Sequence, residues 1–300
     1  MDWKVKTASD FMRRHLITLT PQTKIVDAVA RLLKDNISGT PVIDANGVYL
    51  GVFSEKCCIR ALTETVEQAD QFGMQVPCVH EFMNTALVTL TPEVDVFDAI
   101  DHLLARHISG APILDKGGRF LGVFSEKTAM QVLISAAYDQ LPGATISAHM
   151  NCDFRRVIDR SDSLITIAHR FQQTHYRRFP VLDNEQLIGQ VSRRDVIRSE
   201  YCLAHKLVDS SKYDAVIEDY MDCSARTIGP GDDILNIAQI FLSTPFRRLP
   251  VVESGKLLGQ VSRCDLLSAA AEMLRPKAVR GKRETLYLSP LTDVAPPSLS

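Results

Sequence analysis

The chain repeats itself about every seventy residues, and that restricts its fold more than any other feature. Met12, Met83, Met150 and Met221 open four similar blocks, at steps of 71, 67 and 71 residues. Each block continues to a proline-centred run: Thr40-Pro41-Val42, Ala111-Pro112-Ile113, Phe179-Pro180-Val181 or Leu249-Pro250-Val251. Each then reaches Gly51-Val52-Phe53-Ser54, Gly122-Val123-Phe124-Ser125, Gly189-Gln190-Val191-Ser192 or Gly259-Gln260-Val261-Ser262. Three landmarks in register four times define a tandem array of one supersecondary unit, which buries its apolar face against its neighbours.

The second block shows the unit most plainly. Leu87-Val88-Thr89-Leu90 is a short extended run halted at Thr91-Pro92. Val96, Ile100, Leu103 and Leu104 then recur at helical spacing on one face. Pro112-Ile113-Leu114 and Phe120 to Phe124 flank a turn at Lys116-Gly117-Gly118, a hairpin signature, and Ser125 precedes a second helix running to about Ala137. The order is strand, helix, strand, strand, helix, and the first helix is long enough for a crossover to a parallel or non-adjacent strand. So small a unit is marginal alone. Pairing is expected: residues 1–140 as one pair (repeats about 5–70 and 76–140) and 141–275 as the other (about 144–208 and 214–275), joined at Gln140-Leu141-Pro142-Gly143. Residues 276–300 carry little periodicity and read as a mobile tail, with Leu286-Tyr287-Leu288 as a segment able to dock as an edge strand.

These blocks resemble the CBS domain family, whose members pair into discs called Bateman modules. The residues that carry the resemblance are the extended start ending at a proline or turn, the amphipathic helix, the x-Pro-Val-hydrophobic-Asp strand and the hydrophobic-Gly-x-hydrophobic-Ser-x-x-Asp close. It covers about residues 5–275. It implies an α/β fold of the α+β CBS type, with four β-α-β-β-α repeats packed as two pseudo-symmetric pairs. It further implies an adenosine ligand (AMP, ADP, ATP or S-adenosylmethionine) in clefts between paired repeats. In the family an aspartate closing the Ser-x-x-Asp motif holds the ribose, while the serine and basic residues before the Pro-Val strand approach phosphate. On this chain those positions are Asp195 and Asp265, Ser192 and Ser262, Arg177-Arg178 and Arg247-Arg248. Val157-Ile158 and Thr227-Ile228 are the apolar neighbours expected for an adenine ring. A carboxylate accepts both ribose hydroxyls, and an arginine fork suits phosphate oxygens. A strand-to-helix junction adds free backbone N–H groups. Serine followed three residues later by an acid also caps a helix, and the two uses are compatible.

The first pair departs from this pattern. Ser54-Glu55-Lys56-Cys57 and Ser125-Glu126-Lys127-Thr128 put a thiol and a hydroxyl where the carboxylate is expected. Ser38-Gly39 and Ser109-Gly110 replace the arginine pairs. Glu55 and Glu126 suit a helix start but repel phosphate. The first pair is therefore expected to be structural, a dimerisation surface, or a site for another ligand.

Other chemistries find little support. Seven cysteines with no CxxC pair suggest reduced thiols in a cytoplasmic protein rather than disulfides or zinc. The opening Met1-Asp2-Trp3-Lys4 is not a secretory signal, and no apolar run approaches the roughly 20 residues of a membrane span. The eight histidines make no HExxH or other compact metal set; His102 and His107 read as surface or cap residues, and His175 lies two positions before Arg177. No GxSxG elbow or glycine-rich phosphate loop occurs, so no catalytic residue is assigned. A net charge of -2 gives no bulk attraction for nucleic acid, and Arg155-Arg156, Arg193-Arg194 and Arg280-Gly281-Lys282-Arg283 are basic patches without an aromatic platform. The expectation is a non-catalytic, homodimeric sensor of an adenine nucleotide that signals to a partner protein, with an interaction scaffold lacking any ligand as the alternative.

Overall fold

The computed structural model describes residues 6–67, 77–86, 88–137, 145–206 and 216–274. The expected junction at 140–143 and the tail 276–300 lie outside the described residues. In the first repeat, α1 (Ala8–Phe11) is followed by α2 (Ile25–Lys34), β1 (Gly39–Ile43), β2 (Tyr49–Ser54) and α3 (Glu55–Glu67). The second has α4 (Val79–Phe82), α5 (Val96–Ala105), β3 (Gly110–Leu114), β4 (Phe120–Ser125) and α6 (Glu126–Ala137). In the third, 3-10 turns at Ile146–Ala148 and Phe154–Arg156 precede β5 (Ile158–Asp159), α7 (Leu164–Gln173), β6 (Arg178–Asp183), β7 (Gln186–Ser192) and α8 (Arg193–Lys206). The fourth has a 3-10 turn at Ile217–Asp219, α9 (Ile234–Ser243), β8 (Arg248–Glu253), β9 (Lys256–Ser262) and α10 (Arg263–Leu274).

The first long helix of every repeat buries the same four offsets. Ile25, Ala28, Val29 and Leu32 recur as Val96, Ala99, Ile100 and Leu103, then Leu164, Ile167, Ala168 and Phe171, then Ile234, Ile237, Ala238 and Phe241. That is one apolar stripe at helical period. Asp95, Ser163 and Asp233 cap three of these helices through bonds to backbone N–H groups. The strand expected before this helix is short. It survives as β5, parallel to β6, and elsewhere as the single parallel bridges Leu19–Val42, Leu90–Ile113 and Ile228–Val251.

Paired repeats exchange their leading segments. Arg13, from the first repeat, bridges to Val123 on β4, while Asn84, from the second, bridges to Val52 on β2. Asn151–Gln260 and Asp222–Gln190 repeat the exchange in the second module. The strand glycines permit it: a Cβ on Gly122 would stand 2.6 Å from the Arg13 carbonyl oxygen, and one on Gly51 would stand 2.7 Å from that of Asn84. Hairpins also meet edge to edge, with Val48 bridging to Arg119 in the first module and Gln186 pairing with Lys256 in the second. The second-module strands thus form one sheet in the order β5-β6-β7-β9-β8.

The hydrophobic cores run across the modules. One unites the first and third repeats around Phe53, Ile59, Phe171 and Phe179; the other unites the second and fourth around Phe124, Met130, Phe241 and Leu267. Helix α3 packs on α8, and α6 on α10. Between α3 and α8 a polar link is buried: Thr63 donates to Glu200 at 2.9 Å and accepts from Gln172 at 3.1 Å.

Candidate functional site

Both aspartates of the Ser-x-x-Asp motif sit in the first turn of a helix entered from a strand, Asp195 on α8 and Asp265 on α10. Asp195 Oδ2 accepts the Ser192 backbone N–H at 2.8 Å and its hydroxyl at 2.5 Å. Asp265 does the same with Ser262, at 2.7 and 2.5 Å. Each motif is therefore a helix cap, and each aspartate is half-buried. Among the described residues Oδ1 of each accepts no hydrogen bond, so capping leaves one carboxylate oxygen for a ligand. In the first module Ser54 meets the Cys57 thiol at 3.3 Å and Ser125 meets the Thr128 hydroxyl at 3.0 Å, and no carboxylate is offered.

The arginine pairs divide. Arg177 and Arg247 turn toward the first module, where Arg177 donates to Ser109 at 2.5 Å and Arg247 to Ser38 at 3.0 Å. Arg178 and Arg248 stay in the second, each over the aromatic ring that precedes the other pair: Arg178 is 5.9 Å from the Phe246 centroid and Arg248 5.9 Å from that of Tyr176.

The surroundings of the two aspartates differ in charge. Arg178 is compensated, donating to Gln190 Oε1 at 3.0 Å and lying 3.9 Å from Asp222 Oδ2. Where Asp222 pairs with the third repeat, the neutral Asn151 pairs with the fourth. Arg248 Nη1 and Gln260 Oε1 are enclosed without a hydrogen-bond partner among the described residues. Burial pulls the Arg248 guanidinium below its ordinary pKa, Asp265 is the largest opposing charge acting on it, and Arg156 pushes it down further. Arg156 lies 4.5 Å from the Tyr176 centroid and 3.7 Å from Asp153 Oδ2. Asp265, Arg248, Arg156 and the Tyr176 ring thus lie together, with Asp153 balancing Arg156.

Two further arginines were read from the sequence only as part of a basic patch or not singled out. Arg193 and Arg263 open α8 and α10, yet they are 6% and 5% exposed. Their guanidiniums donate to the Thr174 and Thr244 carbonyls, both at 3.0 Å, and their Nε atoms are enclosed and unpartnered. Burial pushes Arg193, Arg247 and Arg263 down to about 10, so all remain cationic at neutral pH. Glu55 and Glu126 act against this on the central arginines Arg177 and Arg247. The signal was present in the alignment of the blocks, since Ser-Arg in repeats three and four stands where repeats one and two have Ser-Glu.

Ile158 and Ile228, expected beside an adenine ring, are 1% and 5% exposed and belong to the two cores. Strand alternation instead leaves the preceding residues accessible, Val157 half-buried and Thr227 exposed. His175 is exposed. Cys78, His80 and Glu81, not grouped by the sequence reading, bring donor atoms within 4.8 Å of one another. Glu81 accepts the Cys78 N–H at 2.6 Å and His80 Nδ1 meets the Pro21 carbonyl at 3.1 Å, as befits a helix cap.

The CBS domain family matches the chain four times, over residues 8–64, 79–135, 147–201 and 217–272. The chain belongs to the CBS domain family. Its four domains form two Bateman modules, as the sequence led one to expect. Protein MJ1225 of Methanocaldococcus jannaschii is 22% identical over 270 residues, 85% of this chain and 95% of its own. Its crystal structure, presented as that of a suggested archaeal homologue of γ-AMPK, has a TM-score of 0.78 at 21% identity and covers 88% of this chain and 99% of that one. An uncharacterised protein of Pyrococcus horikoshii has a TM-score of 0.56 at 14% identity, covering 88% of this chain and 100% of its own. Chloroplastic CBSX2 of Arabidopsis thaliana is 25% identical over 190 residues, 63% of this chain and 60% of its own. CBSX2 has been crystallised with AMP, in a structure covering 43% of this chain at a TM-score of 0.38. No helix among the described residues is long and apolar enough to cross a membrane.

Proposed function

We propose that this CBS protein is a regulatory sensor of an adenine nucleotide, bound in the second module with Asp265 at the ribose. The observation that carries the reading is the enclosed Nη1 of Arg248, unpartnered among the described residues and under the charge of Asp265. A buried donor without an acceptor costs free energy, and a phosphate oxygen removes that cost. Tyr176 and Val157 offer apolar surface near the same place, and the free Oδ1 of Asp265 suits a ribose hydroxyl. The unpartnered guanidinium N–H of Arg248 suits a phosphate oxygen of AMP, ADP or ATP better than the positively charged sulfonium of S-adenosylmethionine. AMP in CBSX2 is a ligand of this class in a relative. The cleft of Asp195 is the weaker site, because Asp222 and Gln190 already occupy Arg178. Regulation follows if the ligand prefers one arrangement of the paired domains over another.

Calorimetric titration with AMP, ADP, ATP and S-adenosylmethionine tests this on the wild type and an Asp195→Ala/Asp265→Ala variant. Nucleotide binding weakened about tenfold or more in the variant is the expected result. Silence of a folded wild type toward all four would contradict the reading and leave a scaffold without ligand.

A further inference from the structure

At the middle of the molecule each repeat contributes two equivalent residues, one before its Pro-containing strand and one at the start of its last helix. The first module supplies Ser38 with Glu55 and Ser109 with Glu126; the second supplies Arg177 with Arg193 and Arg247 with Arg263. The backbone ties each pair together: Glu55 and Glu126 donate N–H to the Ser38 and Ser109 carbonyls, both at 3.0 Å, and Arg193 and Arg263 to Arg177 and Arg247, both at 3.1 Å. The bonds Arg177–Ser109 and Arg247–Ser38 bring these pairs together across the modules, and Glu55 and Glu126 act on both Arg177 and Arg247, so four guanidiniums face two carboxylates. Arg194 draws further on one of these carboxylates, since it binds Glu55 at 3.0 Å. At the matching place in the other half stands Cys264, whose thiol burial and the Glu126 charge push up to about 11. Burial and the arginines Arg193 and Arg263 lower the Lys56 and Lys127 ammonium groups respectively, so the excess of positive charge extends beyond the arginines.

Among the described residues the hydrogen-bond partners of the Arg177 and Arg247 guanidiniums are neutral hydroxyls, at Ser109 and Ser38, and Glu55 and Glu126 act on them only through charge. A hydroxyl is a weaker acceptor for a guanidinium than a phosphate oxygen. We propose that Ser38 and Ser109 are positioning residues of the second module's ligand site: they hold Arg247 and Arg177 while no anion is present, and a phosphate group takes the arginines from them. This rests on the nucleotide reading above and deepens it, giving the first module a part in sensing although it lacks the aspartates. Each transfer breaks a bond between modules, Arg177–Ser109 between the second and third repeats and Arg247–Ser38 between the first and fourth. Ligand entry is thereby coupled to how the modules are held.

The test compares adenosine, AMP and inorganic pyrophosphate by calorimetry on the wild type and a Ser38→Ala/Ser109→Ala variant. Both serines are half-buried and replaced by a smaller side chain, and unchanged circular dichroism checks the fold. With the serines gone the arginines no longer leave a partner, so AMP binding tightens about fivefold, the scale of one modest hydrogen bond, while adenosine is unchanged. An unchanged ratio of AMP to adenosine affinity would overturn the proposal. Weaker AMP binding would do so too, by showing the serines to be ligand contacts themselves. Pyrophosphate separates this from the nucleotide reading. If the wild type binds no adenosine compound, that reading falls, and the serine proposal stands only if pyrophosphate binds about fivefold more tightly to the variant.

Discussion

Asp265 shows how one side chain serves both folding and binding. Its Oδ2 closes the Ser262 cap and its Oδ1 is left over, so Asp265→Ala removes a helix cap as well as a ribose acceptor. Asp195→Ala and Asp265→Ala are each expected to cost about 1 kcal/mol in urea unfolding, with no ligand present. A stability loss near zero would mean that the caps seen here contribute little. Cys58 gives a second prediction at this scale. Burial raises its thiol well above the ordinary value, so the folded chain favours the protonated form. That contribution is whole below the unfolded thiol's pKa, about 8.5, and is lost as pH rises toward the folded value. The urea midpoint should fall between about pH 8 and pH 9.5, and Cys58→Ala should reduce the slope, leaving the share of Cys264, whose thiol is raised as well. The aspartates and arginine pairs could be picked out in the sequence because they recur in register. That Arg177 and Arg247 part from their neighbours could not, since adjacent residues at a strand start point to opposite faces only once the strand is placed.

At the scale of elements, the four amphipathic helices and four hairpins were readable because their periods, 3.6 and 2, are written in the apolar residues. The short turns α1 and α4 were not, since four residues carry no period. The leading strands proved shorter than the extended runs suggested, because the chain turns into its helix after one or two paired residues. The motif glycines, seen as landmarks in the sequence, gain their reason here: the exchanged Met-containing segments cross over them. Gly122→Ala should therefore destabilise the chain by about 1–3 kcal/mol, since its Cβ would press on the Arg13 carbonyl. Gly231→Ala, exposed and with open space around the added carbon, should be close to neutral. Equal effects of the two substitutions in thermal unfolding would contradict the exchange.

Across the whole molecule, the two cores bind the modules together, first repeat to third and second to fourth. The repeats look alike on their apolar faces, so the sequence could not say which faces meet; the packing of α3 against α7 and α8, and of α6 against α9 and α10, settles it. Because neither core belongs to one module, calorimetry should show a single cooperative transition, and two separated transitions would argue that the modules fold independently. The asymmetry of charge between modules was visible in the sequence, whereas its meeting at one centre was not. Whether Asp265 and Arg248 hold a nucleotide is decided by a crystal structure of the chain with AMP. The ribose is expected on Asp265 Oδ1, with an arginine of the second module on the phosphate. AMP seated in the first module, or bound away from Asp265, would contradict it.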